Sequence, residues 1–333
     1  MRVAYILAHP TLGGGTKVVA QHAALLRQAG VDVTLLASGP RPAWLPFTGR
    51  YIDVDTAPPR LPSQDVAIAT YWTTLARAVD LGVGPVAHFC QGYEGRLDYL
   101  RDDWPRIDSA YAHRVPTIVV TPDLAALLER QFGRACRVVP PVVDPLFTPR
   151  FRWRPRRQPW IAIPGVFEAG VKDVPTALRA VLRLRAEGCR CRVLRISTLP
   201  LSDREREILT PDTYLHAAAP REVARALRDC DLLLFPSRAE EGFGLPLLEA
   251  MTSGVPAVAT RIPSAVFMTA DAVPLVDEGD DRALAASARD VLADTARWRR
   301  LRRRQQVAAG RFEAHRVLPE LLAAVEWASR STT

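Results

Sequence analysis

The sequence predicts an α/β protein built from two doubly wound parallel sheets, one in each half of the chain. Short apolar runs alternate with longer amphipathic segments, which is the pattern of strands and crossover helices in a parallel sheet. This alternation begins twice, near residue 3 and again near residue 160, and the proline-rich stretch 140–149 separates the two series. A length of 333 residues with 48% hydrophobic and 24% charged residues is typical of a globular two-domain protein.

The first half shows its elements in order. Short apolar runs predict strands at residues 3–7, 31–36, 66–70, 86–90 and 137–139. Apolar residues at helical spacing predict helices at 16–28 and 123–131. Between about residues 40 and 115 the pattern is weak.

The second half repeats the alternation more clearly. Strands are predicted at 160–163, 192–196, 232–235 and 255–259, and helices at 174–186, 221–228 and 313–329. A short helix is also predicted after the strand 232–235, with Pro246 at its first position and Gly254 following its end.

The most informative segment runs from Glu241 to Glu249, two carboxylates that bracket the turn Gly242, Phe243 and Gly244. Glycines allow a backbone to approach a ligand closely, and the helix that begins after Leu245 offers free N–H groups to a diphosphate. The carboxylates can accept hydrogen bonds from sugar hydroxyls, with Glu249 in the first helical turn. The alternative is two solvated glutamates, one of them favourable at a helix start.

The run from residue 235 to 260 closely resembles the retaining GT-B glycosyltransferases of family four. The resemblance implies a GT-B fold, in which two Rossmann-like domains face each other across a cleft. It further implies an N-terminal acceptor-side domain at 1–145, a nucleotide-sugar-binding domain at 146–311, and a helix at 312–333 that crosses back to the first domain. In this family, the segment between Glu241 and Glu249 belongs to the donor site.

A glycine-rich loop joins the first strand to the first helix. Gly13, Gly14 and Gly15 let the backbone face an anion at the helix start, although the loop matches neither a dinucleotide fingerprint nor a P-loop. The resemblance implies that it closes over the diphosphate and sugar of the donor. A flexible turn is the alternative.

Lys17 and Lys172 are the only lysines in the chain. Lysine is a compact charge suited to phosphate. Lys172 follows Gly165 in the loop after a predicted strand, where the resembling family carries a phosphate-binding lysine together with an arginine about five positions earlier. Phe167 stands near that place here, so the composition of the phosphate site stays open.

The predicted strand 86–90 leads to Gln91 at the lip of the expected cleft. Many family members carry a histidine there, and the glutamine form resembles a rhamnosyltransferase-type subgroup acting on cell-surface polysaccharides. A glutamine cannot act as a general base but can hold a sugar hydroxyl. The acceptor-side candidates are His9, Trp72, Tyr93 and Glu94.

The mechanism that the resemblance implies is transfer with retention, without a protein nucleophile. Glu241, Lys172 and Gln91 are the catalytic candidates, and the nucleotide-diphosphate sugar is a co-substrate, so no cofactor is expected. Asp53-x-Asp55 resembles the metal motif of another transferase architecture, but a polar strand end explains it better, and no metal is predicted.

Other features limit location and partners. The opening apolar run is too short for a signal peptide and no stretch could span a bilayer, which favours a cytoplasmic protein. Five cysteines, an odd number, favour reduced thiols. The arginine-rich segments 150–157 and 297–304 suit either peripheral contact with the inner membrane face or simple solvation, and no motif points to nucleic acid.

Several functions stay open at this point. The acceptor is a glycan, a lipid-linked sugar or a small molecule, with a role in cell-surface polysaccharide synthesis favoured and natural-product glycosylation as an alternative. A nucleotide-sugar epimerase or hydrolase, or a non-catalytic donor-binding protein, could use the same scaffold.

Overall fold

The computed structural model describes residues 1–8, 10, 13–45, 47–56 and 61–331. The chain divides into two compact units, Met1–Val142 together with Phe312–Thr333, and Val143–Arg311. The division therefore falls at Val142 and Val143, three residues before the predicted boundary.

The first unit contains a parallel sheet. In the described residues its strands are β1 (Arg2–Leu7), β2 (Asp32–Ala37), β3 (Arg50–Asp53), β4 (Val66–Ala69), β5 (Val86–Cys90), β6 (Thr117–Val119) and β7 (Cys136–Val138). Their spatial order is β3-β2-β1-β4-β5-β6-β7, and every neighbouring pair is parallel. Its crossover helices are α1 (Gly14–Gln28), α2 (Trp72–Leu81), α3 (Trp104–Ala112) and α4 (Pro122–Phe132). The strand order reverses at β1, where doubly wound sheets bind ligands beyond the carboxyl ends of the strands.

The second unit repeats this plan. Its strands are β8 (Trp160–Pro164), β9 (Arg192–Ser197), β10 (Thr213–His216), β11 (Leu232–Phe235), β12 (Ala257–Thr260) and β13 (Leu275–Val276), in the parallel order β10-β9-β8-β11-β12-β13. Its helices are α5 (Val174–Ala186), α6 (Asp203–Ile208), α7 (Pro220–Arg228), α8 (Leu245–Thr252), α9 (Pro263–Thr269), α10 (Asp281–Ala293) and α11 (Thr295–Ala309). The order reverses between β8 and β11, so the loops after these two strands meet at one edge.

The central strands form the cores of both sheets. All four residues of β4, β11 and β12 are buried, as are five of the six residues of β1. Continuous apolar runs of this kind are buried on both faces of a parallel sheet by helices. The predicted α/β fold with two doubly wound parallel sheets is therefore confirmed.

The last helix, α12 (Ala314–Arg330), belongs to the first unit. Its buried residues include Val317, Leu321 and Val325, spaced four apart on one face. The guanidinium of Arg137 lies 5.1 Å from the ring centroid of Trp327. Nη1 of Arg137 also donates a hydrogen bond to the carbonyl oxygen of Ala323 at 3.5 Å. No helix in the described part of the chain combines the length and apolarity that a bilayer crossing requires.

Several elements lie outside the sequence prediction. They are β3, α2, α3 and β6 in the first unit, and α6, β10, α9, β13, α10 and α11 in the second. The strands among them have only two to four residues, too few to show a periodicity. The weak pattern between residues 40 and 115 thus covers ordinary crossover elements.

Candidate functional site

In the first unit, helix α1 begins at Gly14, directly after β1 and its loop. Gly13 precedes it in an extended conformation, no described side chain caps the helix, and its first turn contains no acidic residue. Free N–H groups at a helix start carry partial positive charge and suit an anion. Gly13, Gly14 and Gly15 thus lie at the start of this helix. The acceptor-side candidate His9 lies outside the described residues.

Gln91 lies beyond the carboxyl end of β5 and contacts this turn. Its Nε2 donates a hydrogen bond to the carbonyl oxygen of Gly15 at 3.1 Å. A Cβ added to Gly15 would lie 3.4 Å from the same Nε2. A Cβ at position 15 would thus be in ordinary contact with Gln91, so the amide packs closely over this turn.

Glu94 is buried rather than open to an acceptor. The hydroxyl of Tyr111 donates to Glu94 Oε2 at 2.6 Å, and the Cys90 thiol lies 3.2 Å from the same hydroxyl. Burial raises the pKa of Glu94 to about 7, although the hydrogen bond from Tyr111 and the charge of Arg134 act in the opposite direction. This placement favours a role in positioning the loop that carries Gln91 over direct contact with an acceptor.

The two aromatic acceptor-side candidates are also mostly buried. The hydroxyl of Tyr93 donates to Asp108 and accepts a hydrogen bond from Nε2 of Gln131 at 3.2 Å. Trp72 begins α2, and the guanidinium of Arg106 lies 5.4 Å from its ring centroid. Both side chains stabilise the first unit, and their exposed edges are small.

In the second unit, Lys172 and Glu241 form an ion pair at the edge where β8 and β11 end. The Lys172 ammonium donates to both carboxylate oxygens of Glu241, at 2.8 and 2.6 Å. The lysine side chain is 27% exposed and the glutamate side chain 9% exposed. The pair thus lies at the surface of the site with its carboxylate mostly covered.

The loops that carry this pair are held by backbone contacts. The N–H of Arg238 donates to the carbonyl oxygen of Val171 at 2.8 Å, and the N–H of Glu241 donates to the carbonyl oxygen of Arg238 at 2.9 Å. Gly165 has φ +128°, and a Cβ there would lie 3.1 Å from the Cβ of Lys172. Glycine at 165 therefore lets the lysine segment fold back over the end of β8.

Gly244 has a steric role that the sequence did not show. It precedes α8 with φ +88°, and a Cβ there would lie 2.7 Å from Cζ of Phe235. The neighbouring Phe243 is buried. The protein's own phenylalanine therefore requires glycine at 244, whatever ligand approaches the turn at Gly242.

Helix α8 begins one residue earlier than predicted. Leu245 is its first residue, so Pro246 takes the second position and Glu249 lies in the second turn, half-buried, instead of the first. The reason is that Gly244 adopts the left-handed conformation and ends the preceding loop there. Gly254 follows the helix with φ +65°, as predicted for a C-terminal glycine.

Arg238 is a basic candidate that the sequence reasoning did not select. Its guanidinium lies 3.4 Å from Oδ2 of Asp173, the residue after Lys172, and its side chain is 52% exposed. Phe167, near the expected position of the missing arginine, packs partly buried against the hydrophobic core. Arg238 is the only basic residue between the end of β11 and Glu241, which is the sequence signal that could have identified it.

The Asp53-x-Asp55 motif has protein partners. Asp53 Oδ1 accepts from the backbone N–H groups of Gly39 and Asp55, at 2.9 and 3.1 Å. Asp55 forms a salt bridge of 3.0 Å with Arg77. The motif therefore closes the end of β3, as a polar strand end does. In the described residues no group of three or more possible ligands is arranged to hold a metal ion.

Comparison with known families gives this site its context. Residues 158–294, which include the ion pair and α8, match the family described as Glycosyl transferases group 1. This matched segment, hereafter the group 1 domain, is less than half of the chain. Within the group 1 domain lie Gly165, Lys172, Glu241 and Glu249, and the predicted relation to GT-B glycosyltransferases is confirmed at this level.

One curated relative aligns with only part of the chain. The D-inositol 3-phosphate glycosyltransferase of Segniliparus rotundus is 34% identical over 120 residues, which cover 35% of this chain. The alignment spans about a quarter of that relative, 26% of its length.

Solved structures resemble the whole chain. Sucrose-phosphate synthase from Thermosynechococcus elongatus has a TM-score of 0.77 at 18% identity, with 98% of each chain covered. HepE from Anabaena, in complex with UDP-glucose, has a TM-score of 0.76 at 14% identity, covering 98% of this chain and all of its own. At these identities the likeness shows the fold, which is GT-B.

Proposed function

We propose that this chain transfers a sugar from a nucleotide-diphosphate sugar to an acceptor hydroxyl, with retention at the anomeric carbon. The observation that carries the proposal is the ion pair of Lys172 and Glu241 at the carboxyl edge of β8 and β11, beside the start of α8. The group 1 domain supports the reaction class. HepE, whose fold this chain shares, binds UDP-glucose, which supports a nucleotide-sugar donor.

Lys172 can hold a phosphate without leaving its partner. An ammonium has three donors, and two contacts join it to Glu241. The remaining donor suits the donor diphosphate. Negative charge grows on this diphosphate as the glycosidic bond breaks, so fixed positive groups there stabilise the transition state.

Glu241 and Glu249 complete the donor site in this proposal. Each carboxylate oxygen has two acceptor positions, so Glu241 can accept from a sugar hydroxyl while it stays bound to Lys172. Glu249 would accept from the ribose hydroxyls. The bond from the anomeric carbon to the diphosphate breaks, the acceptor oxygen bonds on the same face, and the acceptor proton passes to the departing diphosphate oxygen.

The first unit contributes an anion-binding turn and a neutral amide. We assign Gly13, Gly14 and Gly15 to anion binding through the N–H groups that begin α1. Gln91 would hold a sugar hydroxyl and orient the turn through its bond to Gly15. No metal or further cofactor takes part in this proposal, and the acceptor is a hydroxyl of a glycan, lipid-linked or small molecule, with cell-surface polysaccharide precursors preferred.

Arg238 is proposed as the second phosphate-binding cation. Its guanidinium lies beside Asp173, one residue from Lys172, and more than half of its side chain is exposed. A charge-assisted contact of this kind contributes about 1.5–3 kcal/mol, so Arg238→Ala should weaken donor binding by roughly ten- to a hundredfold. Arg204→Ala on α6 removes an exposed arginine from the same unit and serves as the control. Equal donor affinities of the two variants would show that Arg238 does not bind the donor.

The first experiment is thermal stabilisation by UDP-, GDP-, dTDP- and ADP-sugars. A ligand that binds the folded state raises the unfolding midpoint by mass action. We expect a selective rise with one nucleotide class, lost in Glu249→Ala and kept in Glu240→Gln. The selected donor is then incubated with a panel of acceptors, and NMR of the product gives the anomeric configuration.

Four results would contradict all or part of the proposal. Nucleotide release without an acceptor would indicate a hydrolase, and interconversion of the donor sugar would indicate an epimerase. Donor binding without turnover across the acceptor panel would indicate a non-catalytic binding protein. An inverted product would leave the donor site intact but exclude retention.

A further inference from the structure

Two neighbouring aromatic side chains are exposed on the second unit. Phe151 is 77% exposed and Trp153 is 64% exposed. Their rings form an edge-to-face pair with centroids 5.1 Å apart. Both belong to the linker segment, residues 150–157, which follows the division between the units and contains five arginines and no carboxylate.

The linker segment is fixed to the second unit by arginines. Arg152 and Arg156 form salt bridges with the buried Asp231, the latter at 3.1 Å. Arg302 of α11 donates to the carbonyl oxygens of Arg150 and Arg152 at 2.6 and 2.8 Å. These bonds hold the aromatic pair at a defined place, so its exposure is a feature of ordered structure.

Helix α11 lies against the same segment. The Nε of Arg299 donates to the carbonyl oxygen of Trp153 at 2.5 Å, and its guanidinium lies 5.0 Å from the Trp153 ring centroid. The linker segment and α11 therefore form one continuous surface. Six arginines and no carboxylate occur between residues 295 and 304.

Part of this positive charge forms no direct contact with a protein carboxylate, although the charge of Arg300 acts on Asp294 at the start of α11. In the described chain, four exposed arginines of the surface form neither a salt bridge nor a side-chain hydrogen bond: Arg154, Arg157, Arg300 and Arg303. The two carboxylates beside the linker segment, Asp229 and Asp231, are occupied by Arg150, Arg152 and Arg156. The surface thus joins unneutralised charge to exposed aromatic area.

We propose that this surface binds the anionic headgroup region of a lipid bilayer. Tryptophan and phenylalanine with neighbouring arginines are the combination that binds a membrane interface, because the rings enter the headgroup boundary while guanidinium groups meet lipid phosphates. An anionic bilayer also fits the arrangement, since its extended surface can meet the aromatic pair and the exposed arginines at the same time. This binding is separate from the donor site and does not depend on the proposed transfer reaction.

The test is flotation of the full chain with phosphatidylcholine vesicles, with and without phosphatidylglycerol. We expect binding only with phosphatidylglycerol and its loss at high salt. Each arginine near an anionic surface strengthens binding by roughly fivefold, so the double variant Arg300→Gln, Arg303→Gln should bind roughly 25-fold more weakly. The matched control is Arg221→Gln, Arg225→Gln, which removes the same charge from exposed positions on α7.

A second pair of variants tests the aromatic part. The double variant Phe151→Ser, Trp153→Ser keeps every charge and should weaken vesicle binding roughly tenfold or more. Tyr99→Ser removes a side chain of similar exposure, 62%, from the first unit and should leave binding unchanged. Circular dichroism and melting temperature confirm that each variant is folded.

Four outcomes would overturn the proposal. Binding to neither vesicle type, or to both equally, excludes anionic lipid as the partner. Equal losses in the α7 control show that only net charge acts. Concentration-dependent dimerisation abolished by the aromatic variant would assign the surface to a second copy of the chain. Tighter binding to a homopolymeric RNA than to the vesicles would assign it to nucleic acid.

Discussion

Replacing Glu94 with glutamine tests whether this buried carboxyl carries a proton in the folded protein. Glu94 lies against Tyr111, Cys90 and the guanidinium of Arg134, and burial raises its pKa from 4.5 to about 7. Glutamine has nearly the same shape and can still accept the Tyr111 hydrogen bond, but it cannot ionise. The substitution therefore removes one titration and little else.

The magnitude follows from the two pKa values. One pKa unit corresponds to about 1.4 kcal/mol, so ionising Glu94 in the folded state costs about 3 kcal/mol relative to the unfolded chain. Because the pKa is raised in the folded state, the protonated carboxyl favours folding. Its contribution to the unfolding free energy is complete below pH 4.5 and is lost as the pH rises through about 7. Glu94→Gln should therefore gain about 3 kcal/mol of unfolding free energy over the wild type between pH 4.5 and 8.

Only the pH dependence of the difference in unfolding free energy between the variant and the wild type tests the prediction, because the glutamine NH₂ group adds a constant offset to that difference. Burial lowers the pKa of His22 to about 4 and also lowers the pKa of His88. Protonation of these histidines on acidification therefore destabilises the folded protein, whereas protonation of Glu94 stabilises it. The effects of the histidines are present in both proteins and cancel in the difference.

The assay is hydrogen exchange measured by mass spectrometry on peptides from β5 and α3, which localises the opening free energy to this part of the first unit. Exchange is recorded from pH 4.5 to 8 and corrected for intrinsic rates. Glu129→Gln, an exposed glutamate on α4, is the control and should track the wild type at each pH. A difference between Glu94→Gln and wild type that stays flat or falls with pH would refute the reasoning.

Further predictions concern the second unit. Glu249→Ala should raise the donor KM, whereas Glu241→Ala should chiefly lower kcat, and steady-state kinetics with negligible changes in both would exclude the site assignment. Gly244→Ala should destabilise the second unit by about 2–5 kcal/mol in urea unfolding, because the left-handed backbone costs about 1–2 kcal/mol and contact with Phe235 adds the rest. When Phe235→Leu is combined with Gly244→Ala, only the part of the lost unfolding free energy that comes from contact with Phe235 should be recovered. Full recovery would show that the backbone conformation is not strained.

The fold was predictable where strands are continuous apolar runs. The run Leu232–Phe235 and the helix Val174–Ala186 have the predicted bounds, because each combines a strong pattern with a clear stop. Helix α11 is harder, since most of its residues are arginine, glutamine or alanine. Its buried residues are Trp298, Leu301, Gln305, Ala308 and Ala309, a helical spacing that its many charges obscure.

The individual residues of the candidate site could be selected from the sequence, but the ion pair that joins two of them could not be predicted. Lys172 and Glu241 were each selected from their local sequence, yet they are 69 positions apart and meet only because β8 and β11 are neighbours in the sheet. Glu94 was misplaced for a related reason. A glutamate after a strand suggests an exposed polar loop, and the partner that buries it, Tyr111, lies on α3, a helix with no clear sequence signal.

Arginine and lysine make different kinds of contact in this chain, and the difference supports both the proposed donor site and the proposed membrane surface. Buried Arg195 bonds Glu205 and the carbonyl oxygens of Ile163 and Gly165, because a guanidinium with five donors can fix several acceptors at once. Lys172 instead meets one carboxylate at the edge of the site, where a compact charge can be shared with a diphosphate. Most arginines that face the linker segment have structural partners of this kind. The four that form no salt bridge or hydrogen bond in the described chain are therefore the exception to explain, and the proposed anionic surface would supply acceptors for them.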